Sequence, residues 1–308
     1  MEKNGFNVCL AALLGIATLL APGTGDCSET LEQRFNRLVE LEDSTIGRLS
    51  STERAASIAA GFDRDFGEFS ETDLRGLESP ALQAYFRAAE LAQFHAHRDQ
   101  DLEAMEAALS ELVRRNQASP ADLQGMFGAY MSVRAFDEAR RFAADHGLQP
   151  SEAVPVVANR LPPGFAGASL LQPGTSSDAV TRIPFAPTTD AYIVAVSHPM
   201  CGPSRRAMAA IEADAGLTRI FRDAHWVAPA DRRLQLDLLR AWNQDHPLTQ
   251  FAIAWRRDEW PQIDHWATPT FYFFAGGELV AKVSGWPDEG RHEELKAAAR
   301  AAGLAGIE

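Results

Sequence analysis

One residue of this chain stands where nucleophilic chemistry is possible. Cys201 lies between an apolar run, Tyr192 to Val196, and a stretch that starts Gly202-Pro203-Ser204 and carries Met208, Ile211 and Leu217 at helical spacing. The run reads as a short buried strand and the stretch as a helix. A cysteine at that junction meets the helix's free N–H groups and the positive end of its dipole, and both stabilise a thiolate. Pro203 suits an early helical position, where its missing N–H costs nothing. Such a thiolate can attack a disulfide sulfur and form a mixed disulfide. Ser204 cannot then expel the partner, because a hydroxyl without a base is a poor nucleophile. It can donate a hydrogen bond that favours the charged form of Cys201. His198 adds positive potential if protonated, and otherwise packs at the strand end. Arg205 and Arg206 add positive charge beyond the site.

The elements needed to position that cysteine are legible downstream. Ala267-Thr268-Pro269 precedes Thr270-Phe271-Tyr272-Phe273-Phe274. A Gly276-Gly277 turn and Leu279 to Val283 follow, which spells a β-hairpin. Pro269, just before a strand, predicts a restrained turn with a cis bond. His292 to Ala302 is rich in strong helix formers.

Strand, Cys-Gly-Pro-Ser, helix, then Thr-Pro-Thr, hairpin and helix together resemble the thioredoxin superfamily, over roughly 175 to 303. The resemblance implies an α/β domain with a central mixed sheet and flanking helices. It makes Cys201 the nucleophile, opening the first helix, and Pro269 a cis-proline beside it. Ser204 shares that active site, with Gly202, Pro203, His198 and Thr268 in supporting positions. The chain departs from the family at Ser204, where a second cysteine is usual, at Met200 in place of an aromatic residue, and at Ala195 in place of a buried acid. The long interval from Cys201 to Pro269 implies an inserted element. Three readings stay open: a monothiol oxidoreductase acting on protein thiols or disulfides and resolved by a small thiol or by Cys27, a binding module without turnover, and an inert buried thiol.

Composition narrows the classes further. At 308 residues the chain is long enough for more than one domain. A net charge of −13 argues against nucleic-acid binding, which needs a basic footprint. There is no Gly-rich phosphate loop and no paired-histidine metal motif, so no cofactor is expected. The cysteines, Cys9, Cys27 and Cys201, lack zinc-site spacing. His95, His97, Asp99 and Asp101 are ligand-type residues, but they sit at a helix end among charged neighbours, and no metal is expected there.

Val8 to Ala21 is a continuous apolar run of 14 residues, shorter than the roughly 20 that span a bilayer. It suits the core of an export signal over residues 1–25, cleaved before Asp26. The expected location is an oxidising compartment such as a bacterial periplasm, with no stable membrane span after cleavage. Lipid attachment at Cys27 fits badly with the acidic Asp26 before it.

Residues 26–148 read as helical hairpins. Ser79-Pro80 and Ser119-Pro120, 40 residues apart, each read as an N-cap followed by proline. Gly147 reads as a C-cap. The second hairpin, with Gly125, Tyr130 and Ala135-Phe136-Asp137-Glu138-Ala139, weakly resembles a tetratricopeptide repeat. That implies a surface for a protein partner; the plainer alternative is a helical domain that supports its neighbour. Residues 149–178 are Pro/Gly-rich and read as a linker, and 179–308 as the thioredoxin-like domain. Within the latter, Val180 to Phe185 is predicted as an edge strand, His225 to Ala228 as a strand and Arg232 to Asn243 as a helix. Trp255, Trp260 and Trp266 are expected to pack in the core or to line a groove beside the cysteine.

Overall fold

The computed structural model describes residues 29–304. The expected export signal, Cys9 and Cys27 lie outside them. The N-terminal half is a stack of seven helices: α1 Leu31–Thr45, α2 Ser51–Phe66, α3 Glu71–Gly76, α4 Ser79–Ala96, α5 Asp99–Arg114, α6 Pro120–Ser132 and α7 Phe136–Asp145. The expected hairpins α4–α5 and α6–α7 form, and the reason is local. Ser119 caps α6, with its hydroxyl on the Asp122 amide and the Asp122 carboxylate on the Ser119 amide. At α4 the cap is Glu78, so Ser79 is the first helical residue rather than the N-cap. Gly147, at a φ of +63°, closes α7 in the left-handed conformation that glycine adopts without strain.

The C-terminal half is built on an eight-stranded mixed sheet in the order β1-β3-β2-β6-β5-β4-β7-β8. Its strands are β1 Val156–Asn159, β2 Ser169–Pro173, β3 Ala179–Pro184, β4 Ala191–Val196, β5 His225–Ala228, β6 Phe251–Ala254, β7 Thr270–Ala275 and β8 Glu278–Ser284. β4, β5 and β6 run parallel, β7 runs antiparallel to β4, and β8 runs antiparallel to β7. The crossovers are helical: α8 Gly202–Ala213 and α9 Ala215–Ile220 join β4 to β5, α10 Leu236–Asp245 joins β5 to β6, and α11 His292–Ala301 closes the chain. The Gly276-Gly277 turn takes φ of +59° and +81°, matching the twist that a two-residue hairpin needs.

Three expectations are corrected. The stretch 149–178 is no bare linker: it supplies β1 and β2, and β2 pairs with β6. β3 is not an edge strand, since it lies between β1 and β2, with its Pro184 at the strand end. The helix expected from Arg232 starts at Leu236. The Glu152 carboxylate takes the amides of Leu234 at 2.8 Å and Gln235 at 2.7 Å, and Gln235 is left-handed at φ +50°. Arg232 to Gln235 therefore stays a loop.

The helices and the sheet share one apolar core, running from Leu31 and Phe86 through Met126 to Trp226, Phe271 and Leu295. Polar ties cross the same boundary. The start of α2 holds the segment before Thr268: Trp266 N–H donates to Ser51 Oγ at 3.0 Å, and Thr52 N–H to the Asp264 carbonyl at 3.1 Å. Arg134, left-handed at φ +67° just past α6, is buried and donates to four backbone carbonyls. These are Met131 at 3.0 Å, Asp231 at 3.2 Å, Ala254 at 2.9 Å and Trp255 at 2.7 Å.

Candidate active site

Cys201 caps the N-terminus of α8, directly beyond the carboxyl end of β4. Its half-buried Sγ lies 3.2 Å from the Thr268 carbonyl oxygen, and the Thr268–Pro269 peptide is cis. Cys201, Gly202, Pro203, Ser204, Thr268 and Pro269, 67 residues apart at the closest contact, are thus brought into one place. Local sequence explains the two halves. β-Branched and apolar residues make β4, all but its first two residues buried, and Pro203 in the first turn starts α8 without losing a hydrogen bond. Met208 and Ile211 anchor α8 in the core, while Leu217 belongs to α9.

The electrostatics at the sulfur oppose one another. Burial pushes the Cys201 thiol up. Hydrogen bonding from the Thr268 side chain, from the Ser204 amide and hydroxyl, and the charge of Arg206 pull it further down, and the net shift is below the ordinary thiol value. The Thr268 carbonyl, by contrast, accepts from the thiol and favours its neutral form. Ser204 is fully buried, and its Oγ has no settled hydrogen-bond partner among the described residues, so it is free to turn towards the sulfur. Arg206 itself is held by the Trp286 carbonyl at 3.2 Å and Asp288 at 3.4 Å.

His198 does not bring a charge. Burial pulls its pKa down, against the weaker pull of Asp231, and its Nδ1 accepts the Met200 amide at 3.1 Å. It is a neutral imidazole at pH 7 that shapes the turn into Cys201. Met200 is exposed beside the thiol.

A cleft of about 550 Å³ opens next to Cys201. It lies beyond the carboxyl ends of β4, β5 and β6, where open sheets with helical crossovers bind ligands. His198, Cys201, Trp266, Thr268, Arg232 and Arg257 are among the residues that line it. Trp266 is thus the tryptophan beside the cysteine. Trp260 is core, packed edge-to-face on Trp266, and Trp255 lies under the Arg182 guanidinium. Between Cys201 and Pro269 the chain passes through α8, α9, β5, α10, β6 and the short 3₁₀ turn Arg257–Glu259. Sequence reading missed both arginines. A charged residue just past a parallel strand was the available signal.

Glu152 fixes the Arg232-to-Gln235 wall of the cleft. Glu152→Ala is expected to speed amide exchange at Leu234 and Gln235 by at least tenfold, since each carboxylate-bound amide loses roughly 1.5–3 kcal/mol. Unchanged protection at both amides would show that the wall is held by something else.

The remaining ligand-type cluster is dispersed. His95 Nε2 pairs with Glu42 at 2.8 Å and Asp101 with Arg98 at 2.6 Å, and no group of three or more His, Cys, Asp and Glu is placed to hold a metal among the described residues. No helix among them is long and apolar enough to cross a membrane.

No family model matches the chain, and no curated protein does. Among solved structures, the crystal structure of a thioredoxin-like protein from Bacteroides caccae ATCC 43185 is 10% identical, at a TM-score of 0.28, with 84% of this chain and 95% of that one covered. A likeness of that size carries no residue roles across. In the C-terminal half a mixed sheet with flanking helices carries Cys201 at the start of α8, with the cis Thr268–Pro269 peptide beside it.

Proposed function

We propose that the protein performs thiol–disulfide chemistry on protein substrates through the single nucleophile Cys201. The observation that carries this is a half-buried thiol at a helix N-terminus, 3.2 Å from Thr268 O and open to a cleft. The Cys201 thiolate attacks one sulfur of a substrate disulfide; the S–S bond breaks, a Cys201 mixed disulfide forms, and the second sulfur leaves as a thiolate. An incoming thiol reverses the process on the Cys201 side. Ser204 cannot serve as that thiol, and Cys201 is the one free cysteine among the described residues. The resolving thiol is therefore a small molecule, or Cys27 from outside them. The apolar run before Asp26 supports export to an oxidising compartment, where such chemistry is used.

The same absence of a second thiol favours a second reading: a thioredoxin-like binding module whose helical hairpins dock a partner and whose cysteine does not turn over. A trapping experiment separates the two. Native protein incubated with a disulfide-bonded protein is expected to accumulate a Cys201-linked adduct, visible on non-reducing gels and mapped by mass spectrometry. Ser204→Cys is expected to clear that adduct at least tenfold faster, because the attacking thiol is then intramolecular. If adduct forms only after denaturation, the binding-module reading stands and the redox one falls.

A further inference from the structure

The cleft beside Cys201 contains more fixed positive charge than the proposed chemistry requires. Arg257 lines it, enclosed by protein on nearly every side yet partly open to the cleft. Its Nε is buried without an acceptor among the described residues, and the compensating charge acting on it is Asp231, through space rather than by a hydrogen bond. Burial lowers its pKa, which measures how poorly that charge is met.

Arg232 lines the same cleft. It is held in place by Glu90 at 3.0 Å and by the Phe94 ring at 5.0 Å. It lies across α6 at Gly128, where a Cβ would come within 3.1 Å of its side chain. One guanidinium edge is thus spent on Glu90, while Nε and Nη2 are buried and unpartnered. Arg134 stands behind both; burial pushes its pKa down to about 9, and its donors go to carbonyls that carry no full charge. The combined positive field is felt at buried His97, whose pKa falls well below the usual value through burial first and then through Arg257, Arg134 and Arg232.

Burying guanidinium groups without anionic partners is costly unless something supplies the anion. From the Arg257 guanidinium, which lines a cleft that also holds the sulfur and has no hydrogen-bond acceptor among the described residues, we propose that the site takes a small thiol or disulfide bearing a carboxylate, bound by Arg257 with its sulfur at Cys201 while Arg232 adds positive charge nearby. A volume of about 550 Å³ suits a small molecule, and a planar guanidinium suits a carboxylate. Asp231 also lines the cleft and is the acid that this anion must lie beside. The proposal rests on the thiol reading above and names the substance that would load or resolve Cys201: an acidic thiol.

The test uses three small disulfides on the full native chain at low ionic strength: anionic 5,5′-dithiobis(2-nitrobenzoate), neutral 4,4′-dithiodipyridine and cationic cystamine. Rates of Cys201 modification are normalised to the neutral reagent and to a cysteine-containing peptide. The anionic-to-cationic ratio is expected to exceed the peptide's by about tenfold or more, as for charge-steered encounter, and to shrink towards it in 0.5 M salt. Arg257→Gln is expected to lose most of that excess, and Arg257→Lys to keep part of it. Should Arg257→Gln fail to fold, excess succinate on the unmodified protein is expected to slow the anionic reagent selectively. A ratio equal to the peptide's, or one unmoved by Arg257→Gln and by succinate, overturns the anion site and leaves the thiol reading standing. No reaction with any of the three in the native state overturns both.

Discussion

Native Cys201 is expected to react with iodoacetamide at pH 7 faster than an unstructured cysteine, with a rate profile whose midpoint lies below the ordinary thiol value of 9.0. Only the thiolate attacks, so the profile reports the ionisation directly. The groups that favour the thiolate are the Thr268 side chain, the Ser204 amide and hydroxyl and Arg206, working against burial, whereas the Thr268 carbonyl accepts from the thiol. Cys201→Ser is expected to remove the native-state labelling mapped to position 201, whatever labelling Cys27 shows. Arg206→Gln is expected to move the midpoint up. The same shift couples to stability, and its sign follows from the direction. A folded thiol whose pKa is depressed binds its proton less tightly than the unfolded chain does. Its contribution is therefore complete above the unfolded value and fades as pH falls through the lower, folded one. A midpoint at or above that of an unstructured cysteine would refute the account of the site.

Arg134→Met is expected to destabilise the protein by about 3 kcal/mol, the net of four backbone carbonyls losing their donor and one buried charge being relieved. For a chain of this size that is a fall of roughly 6–12 °C in Tm. Arg134 ties the end of α6 to the carbonyls of Ala254 at the end of β6, Trp255 just past it and Asp231 past β5. The loss therefore falls on the contact between helices and sheet, and on the cleft walls that those carbonyls belong to. Arg134→Lys is expected to recover little, because an ammonium cannot span a planar fork of carbonyls. Arg134→Gly relieves the left-handed backbone and should still be destabilised, since the side chain carries the effect. A methionine variant within about 1 kcal/mol of wild type by chemical denaturation would show that the pin is dispensable.

The chemistry-bearing pieces were legible because each is a local pattern. An apolar β-branched run, a cysteine and a proline-started helix declare β4, Cys201 and α8 within 23 residues, from Ala191 to Ala213. Thr-Pro-Thr and Gly-Gly declare the hairpin of β7 and β8 in the same way, because turns and strands are decided by neighbours along the chain. Where a long-range partner intervened, the local pattern misled. Arg232 to Gln235 has helical composition, yet Glu152, 82 and 83 residues earlier than the two amides it binds, holds part of it as a loop. The Pro-rich stretch 149–178 lacks strand periodicity but gains β2 by pairing with β6.

By itself, then, the sequence determined where Cys201 stands, that no cysteine follows it at Ser204, and which strands and helix present it, since these depend on residues a few positions apart. Only the tertiary structure decided that Thr268 would meet Cys201, that His198 would be neutral, and that Arg257, Arg232 and Arg134 would gather behind one cleft. Burial and charge at those groups are set by segments that meet across as many as 142 residues, as Glu90 and Arg232 do, and no spacing along the chain encodes that meeting.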